Sequence, residues 1–174
     1  MRKSTRIFWL ASGAFLTLAA CILIPALRAE DAANKPEFVI EEYVFSWTVT
    51  EVDDIKFSIM KTNETIEARL YDDNNHNLWM TATDGDAIAE VLGRTDEFYT
   101  KFKGKNEESE EVKIKGFIIE FWTSDKGAFY VSIDPDKELT TEGITLTRKE
   151  ATTLAPVMAK SSRMCAFVDQ KINP

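Results

Sequence analysis

Strand-like alternation of apolar residues gives way to a helix-like stripe twice along this chain, and the two changes lie 66 residues apart. Thr147 and Glu150 have the spacing of a capping box, in which the hydroxyl accepts a helix-terminal amide and the carboxylate reaches back to the cap residue's N–H. Thr81 and Asp84 occupy the corresponding positions earlier in the chain. Two interpretations stay open: a duplicated unit, or two segments that resemble each other because all amphipathic elements do.

Alternating apolar residues predict four strands before the first helix and three after it. The first predicted strand starts at Phe38, and the fifth covers 112–123, with a bulge or bend at Gly116 where the apolar phase shifts. Helical stripes follow over 84–104 and 147–172. In the second one Pro156 predicts either a bend or a short first turn with a second helix start near Pro156.

Because strands that are neighbours in sequence usually pair, these elements predict an α+β fold. The predicted architecture is one curved antiparallel sheet of about seven strands with two helices on one face. Two β-β-β-α repeats, over 50–104 and 112–172, with an extra N-terminal strand would give this order. Aligning those repeats places Asp72 and Asp134 in matching loops.

The first thirty residues read as an export segment, because Arg2, Lys3 and Arg6 precede an uncharged apolar run from Ile7 to Leu27. Three outcomes are open for it: cleavage as a signal peptide, retention as a membrane anchor, or lipidation at Cys21 in Leu18-Ala19-Ala20-Cys21. The predicted organisation is therefore 1–29 as signal or anchor, 30–36 as a linker and 37–174 as a single domain.

The exported part is strongly acidic. Four of the 21 basic residues and none of the 29 acidic ones precede Glu30, so the remainder carries a net charge of −12. Such a domain is repelled by phosphate backbones and anionic membranes. The sequence therefore predicts no nucleic-acid partner, membrane contact only through the N-terminal segment, and a periplasmic or outer-face location.

Catalytic patterns are missing from the sequence. Its single histidine, His76, lies in a polar loop, and no phosphate-binding or metalloprotease motif occurs. Cys165 falls on the apolar stripe of the last helix, where a buried thiol is predicted. The chain is therefore predicted to be non-catalytic and to use no cofactor.

Two acidic loops are the candidates for a cation site, because oxygen ligands at alternate positions suit Ca²⁺. Asp72 and Asn74 lie in the first loop, and Asp134 and Asp136 lie in the second. Neither loop has the glycine and glutamate of an EF-hand at the required positions.

The stretch from Lys126 to Leu154 contains FYVSID and GITLT followed by a helix, and it resembles the ending of single-stranded-DNA-binding transcriptional coactivators. That family binds DNA with basic and aromatic strands, whereas this chain is acidic, so the resemblance does not extend to the activity. The order of strands around a central and a terminal helix also resembles type III secretion chaperones. Those proteins begin with a helix, which the part of this chain after residue 30 lacks.

Helix cover on one side of a sheet leaves the other side free for a partner. The candidate interaction aromatics are Tyr43, Phe45, Trp47, Trp79 and Trp122. We therefore expect an exported envelope protein that binds a protein or envelope partner, with small-ligand or cation binding as the alternative.

Overall fold

The computed structural model describes residues 42–136 and 143–172, which form two four-stranded antiparallel sheets, each followed by two helices. The α+β class is confirmed, but the prediction of one seven-strand sheet with two helices is wrong. The first half contains β1 (Val44–Val52), β2 (Ile55–Thr62), β3 (Ile66–Tyr71), β4 (Asn77–Met80), α1 (Ala82–Leu92) and α2 (Thr95–Phe102). The second contains β5 (Ser109–Ile114), β6 (Phe117–Thr123), β7 (Phe129–Pro135), β8 (Ile144–Thr147), α3 (Arg148–Met158) and α4 (Ser161–Lys171).

The predicted signal or anchor segment, the linker and Cys21 lie outside the described residues.

At Gly116 the chain forms a hairpin turn and not the predicted bulge or bend within one strand. Lys115 and Gly116 connect β5 to β6, Ile114 pairs with Phe117, and Gly116 has a φ of 82°. The apolar phase shifts because the chain reverses there, and glycine adopts that positive φ without steric cost. The turn divides the predicted fifth strand in two and gives the second half the same four strands as the first.

Each predicted helix is a pair of helices, so β-β-β-β-α-α replaces the predicted β-β-β-α unit. The breaks occur at equivalent buried hydroxyls: Thr95 Oγ1 donates to the Leu92 carbonyl, and Ser161 Oγ donates to the Met158 carbonyl, each over 2.6 Å. These bonds satisfy carbonyls that the end of a helix leaves free. The second break lies at Ala159 and Lys160 and not at Pro156, through which α3 continues.

The two capping boxes are present. The Asp84 amide donates to Thr81 Oγ1 over 3.2 Å, and the Thr147 amide donates to Glu150 Oε2 over 2.6 Å. Both helices that they start have 11 residues. The equivalence of these helices was therefore readable from local sequence.

The second helix of each half packs on the sheet of the other half. α4 contacts β2 and β3, whereas α2 contacts β6 and β7. α1 and α3 pack against each other, and they lie between α4 and α2. Phe98 of α2 stacks on Phe121 of β6 with ring centroids 4.0 Å apart, and both are buried. The two halves consequently share one core.

Strand registers correct one predicted equivalence. Lys56 of β2 and Ile118 of β6 are equivalent positions in the two halves. Lys56 pairs with Tyr71, and Ile118 pairs with Asp134. Asp134 is therefore the counterpart of Tyr71 and not of Asp72. The β6–β7 connection is one residue longer than the β2–β3 connection, which moves β7 along by one position.

Gly85→Ala is expected to lower the free energy of unfolding by about 1–2 kcal/mol in urea denaturation. A Cβ at Gly85 would lie 2.5 Å from Ser161 Oγ, where α1 meets α4. The overpacking cost of about 1–3 kcal/mol exceeds the roughly 1 kcal/mol gained in helix propensity. Gly93→Ala is the matched control, because its counterpart Ala159 has a similar φ of −60°. Equal losses in both variants would contradict this packing.

Candidate functional site

The five predicted aromatic residues lie on separate surfaces. Phe45 and Trp47 are opposite Lys61 and Ile59 on the helix-covered face of the first sheet, and Tyr43 directly precedes that strand. Trp79 and Trp122 lie on the outer faces of the first and second sheets, respectively. The residues therefore do not form one patch.

The outer-face tryptophans are held by contacts within their own sheets. Arg69 lies over the rings of Tyr71 and Trp79, at 4.2 and 5.0 Å from their centroids. Trp122 packs on Tyr130 with ring centroids 4.8 Å apart, and its Nε1 donates a hydrogen bond to Ser132 Oγ over 3.0 Å. These cation–π and stacking contacts stabilise the sheets without any ligand.

Trp47 belongs to a different kind of surface. Its ring lies 6.4 Å from that of Phe167 on α4, and the two residues remain 36% and 56% exposed. They border a groove of about 450 Å³, which we call the edge groove. Its lining residues are Trp47, Lys160, Arg163, Met164 and Phe167.

An ion pair replaces this aromatic pair in the second half. Trp47 is the cross-strand partner of Ile59, and Glu110 is the partner of Phe121, the residue equivalent to Ile59. Glu110 bonds to Lys101. Lys101 is the counterpart of Phe167, because the two are 66 residues apart, the same spacing as between Thr81 and Thr147. The fold thus accommodates charged residues at these two positions, and the aromatic pair is not required for it.

β1 is also the less protected of two equivalent edge strands. No strand in the described ranges pairs with its outer side, and Val44 is 68% exposed. β1 carries one charged residue in nine, whereas β5 carries three in six. Charged residues normally discourage additional strands from pairing with an edge. β1 is therefore an open edge beside an exposed apolar groove.

Sequence reasoning found Trp47 but missed Phe167, its aromatic partner, and Met164, which lines the same groove. A signal for Phe167 existed, because it is a large aromatic residue off the apolar stripe of its helix. The site as a whole could not be predicted, because its position depends on the strand register, which the sequence does not supply.

In the first loop, the candidate cation ligand Asp72 forms hydrogen bonds within the loop. The Asp72 carboxylate accepts from the amides of Asn74 and His76, each over 2.9 Å, and contacts His76 Nδ1 at 2.7 Å. Although burial opposes the charge, these hydrogen bonds lower the pKa of Asp72 below its usual value. Asp72 therefore acts as a turn-stabilising acceptor.

In the second loop, Asp134 lies within β7 and the Asp136 amide donates to the Gly116 carbonyl over 2.8 Å. Partial burial, and then the charge of Glu120, raises the pKa of Asp134. Within the described residues, no group of three His, Cys, Asp or Glu side chains could hold a metal ion.

Asp72→Ala is expected to destabilise the protein at neutral pH but progressively less in acid. A folded pKa below the unfolded value of about 3.9 stabilises the fold above that value, and this contribution is lost as pH falls through the folded pKa. Urea denaturation at several pH values measures it. Asp125→Ala, which removes a carboxylate from another exposed turn, is the control for the loss of the side chain. A difference between Asp72→Ala and the natural chain that is constant down to pH 3 would contradict this assignment.

Cys165 is buried as predicted, with 3% of its surface exposed. Burial, followed by the charge of Asp86, raises the pKa of its thiol to about 11. Its thiolate is therefore scarce at neutral pH, and the thiol is a poor nucleophile.

None of the helices in the described ranges is long and apolar enough to cross a bilayer. No protein-family model matches the chain, and no curated protein matches it.

Proposed function

We propose that this chain is an exported, non-catalytic envelope protein whose domain binds an extended segment of a partner protein along β1 and in the edge groove. The observation that carries the proposal is the exposed Trp47–Phe167 pair, which stands where the second half has the Lys101–Glu110 ion pair. Export is proposed from the basic and apolar N-terminal segment.

Strand addition suits this surface physically. An extended segment beside β1 would hydrogen-bond to the backbone groups on the outer side of that strand, and its alternate side chains would enter the groove. Trp47 and Phe167 would supply the buried aromatic area from which interfaces derive most of their binding energy. The net charge of −12 beyond residue 29 keeps non-specific anionic partners away.

The test is selection of random 12-residue peptides by display on the purified full chain. Enriched peptides are expected to alternate apolar and polar residues and to lack proline, because an added strand needs period-two patterning and free amides. Their dissociation constants would be measured by fluorescence anisotropy. Enrichment of helix-forming peptides, or an unchanged affinity after Val44→Lys and Trp47→Lys, would contradict strand addition.

Small-ligand binding is a second candidate, favoured by a groove of about 550 Å³ where β4 and α1 meet the β5–β6 turn. Thr83 and Lys115 line it, whereas their counterparts in the other half, Lys149 and Asp53, form a 2.7 Å ion pair. The double variant Thr83→Lys/Lys115→Asp would place the same pair here. A metabolite that raises the melting temperature of the natural chain but not of this variant would support the candidate, and none in a broad screen would oppose it.

A further inference from the structure

We propose that the partner segment carries a carboxylate side chain, which Arg163 and Lys160 bind at one end of the edge groove. This inference rests on the function proposed above and adds the chemistry of the partner. An apolar residue would contact Trp47 and Phe167, and an acidic residue two positions away would contact the cations.

The two cations occupy positions where the first half is electrically neutral. Lys160 is the counterpart of Arg94, and Arg163 is the counterpart of Glu97. In both cases the two residues are 66 positions apart, as the two capping threonines are. In the first half, Arg94 Nε lies 3.2 Å from Glu97 Oε2. In the second half an arginine stands in place of the glutamate, so two like charges lie three residues apart at the start of α4, where Lys160 directly precedes the helix. The Asp86 carboxylate of α1 accepts from the Ser162 amide between them over 3.3 Å, but neither cationic side chain bonds to it.

Arg163 is unusual among the arginines in the described ranges. Arg69 bonds to Asn77, Arg94 to Glu97 and Arg148 to Asp96, whereas Arg163 has no ion pair or hydrogen bond from its side chain to any described residue. A chain with a net charge of −8 has abundant carboxylates for such a partner. The free guanidinium is therefore a complementary site for an external carboxylate.

The spacing of the groove fits one extended segment. Asp169 bonds to Lys61, the cross-strand partner of Phe45, while Phe167 contacts Trp47, so α4 runs opposite to β1. Arg163 lies one helical turn from Phe167, a rise of about 6 Å. Side chains two positions apart on one face of a strand are about 6.6 Å apart. Apolar and acidic residues in that spacing can therefore reach both parts of the groove.

A peptide fits these observations better than a lipid headgroup does. The cations lie beside an open strand edge, whose free backbone groups can pair with a peptide but not with a bilayer surface.

The test uses two synthetic probes, Thr-Val-Thr-Leu-Thr-Asp-Thr-Val-Thr and the same peptide with Lys in place of Asp. Fluorescence anisotropy with the full chain is expected to give about tenfold tighter binding of the Asp peptide at low salt, and a smaller ratio at high salt. Arg163→Glu is expected to abolish or reverse this preference. Lys126→Glu makes the same charge change in an exposed turn and should leave the preference intact.

The outcomes separate the two proposals. Equal binding of both peptides, sensitive to Trp47→Glu but not to Arg163→Glu, overturns the carboxylate inference and leaves strand addition standing. Binding of neither peptide overturns both. Binding of phosphatidylglycerol vesicles that requires Arg163, without any peptide binding, would replace the peptide with a lipid headgroup and also overturn the inference.

Discussion

Phe98→Ala is expected to lower the free energy of unfolding by about 3–5 kcal/mol, the range for truncating a buried phenylalanine. Phe98 is 1% exposed and stacks on Phe121, so the substitution loses apolar contacts and leaves a cavity. The effect is large because α2 belongs to the first half but covers the second sheet. Removing its anchor weakens the core that joins the halves. Urea denaturation with an unchanged slope would measure the loss.

Phe167→Ala is the matched control for that substitution. It removes the same side chain from a helix, but Phe167 is 56% exposed, so a change within about 0.5 kcal/mol is expected. A double-mutant cycle between Phe98 and Phe121 should give a coupling of about 0.5–1.5 kcal/mol beyond area burial. Zero coupling, or equal losses in Phe98→Ala and Phe167→Ala, would contradict the exchange of helices between the halves.

The double substitution Trp47→Glu/Phe167→Lys is expected to abolish peptide binding and leave the fold intact. It recreates at the edge groove the ion pair that Glu110 and Lys101 form at the equivalent position. Because the fold already tolerates that pair once, stability should change by less than about 1 kcal/mol. Loss of a tryptophan anchor at the centre of an interface typically costs 2 kcal/mol or more, which is roughly a 30-fold loss of affinity.

The reciprocal exchange sharpens this prediction. Lys101→Phe/Glu110→Trp should place an aromatic pair beside β5 and create weaker binding there, because β5 retains Glu111 and Lys113 as edge charges. Anisotropy with the same selected peptide measures both double variants, and thermal denaturation monitors their fold. Unchanged peptide affinity in Trp47→Glu/Phe167→Lys would contradict a role for the aromatic pair in binding.

Local chemistry explains which parts of the fold were predictable. The capping boxes at Thr81 and Thr147 and the buried position of Cys165 follow from side chains a few residues apart or from helical periodicity. Gly116 was found but misread, because a phase shift in apolar residues is the same for a bulge and for a two-residue turn. Only the pairing of Ile114 with Phe117 separates them.

Tertiary contacts explain what was missed. Thr95 and Ser161 end one helix and begin the next through buried hydroxyl bonds, a role that depends on their burial and not on propensity. The exchange of α2 and α4 between sheets is a long-range choice that no local pattern records. Gly85 in α1 is explained only by the approach of Ser161.

The candidate site was half predictable for the same reason. Trp47 was visible as an aromatic residue in an alternating strand, but Phe167 and Arg163 come from a helix more than a hundred residues later. Their meaning depends on comparing equivalent positions in the two halves. A register irregularity between Thr48 and Thr50 brings Trp47 opposite Ile59, so Trp47 takes the position that Glu110 has opposite Phe121 in the second half. The sequence alone does not reveal this shift.

Hydrogen exchange of the full chain with and without a selected peptide tests strand addition most directly. The account predicts that bound peptide slows exchange of backbone amides in β1 (Val44–Val52), since free edge groups become hydrogen-bonded. Amides of β5 (Ser109–Ile114), the equivalent edge, should exchange at an unchanged rate. Protection confined to the outer faces around Trp79 or Trp122, or equal protection of β1 and β5, would contradict the assignment of β1 as the docking strand.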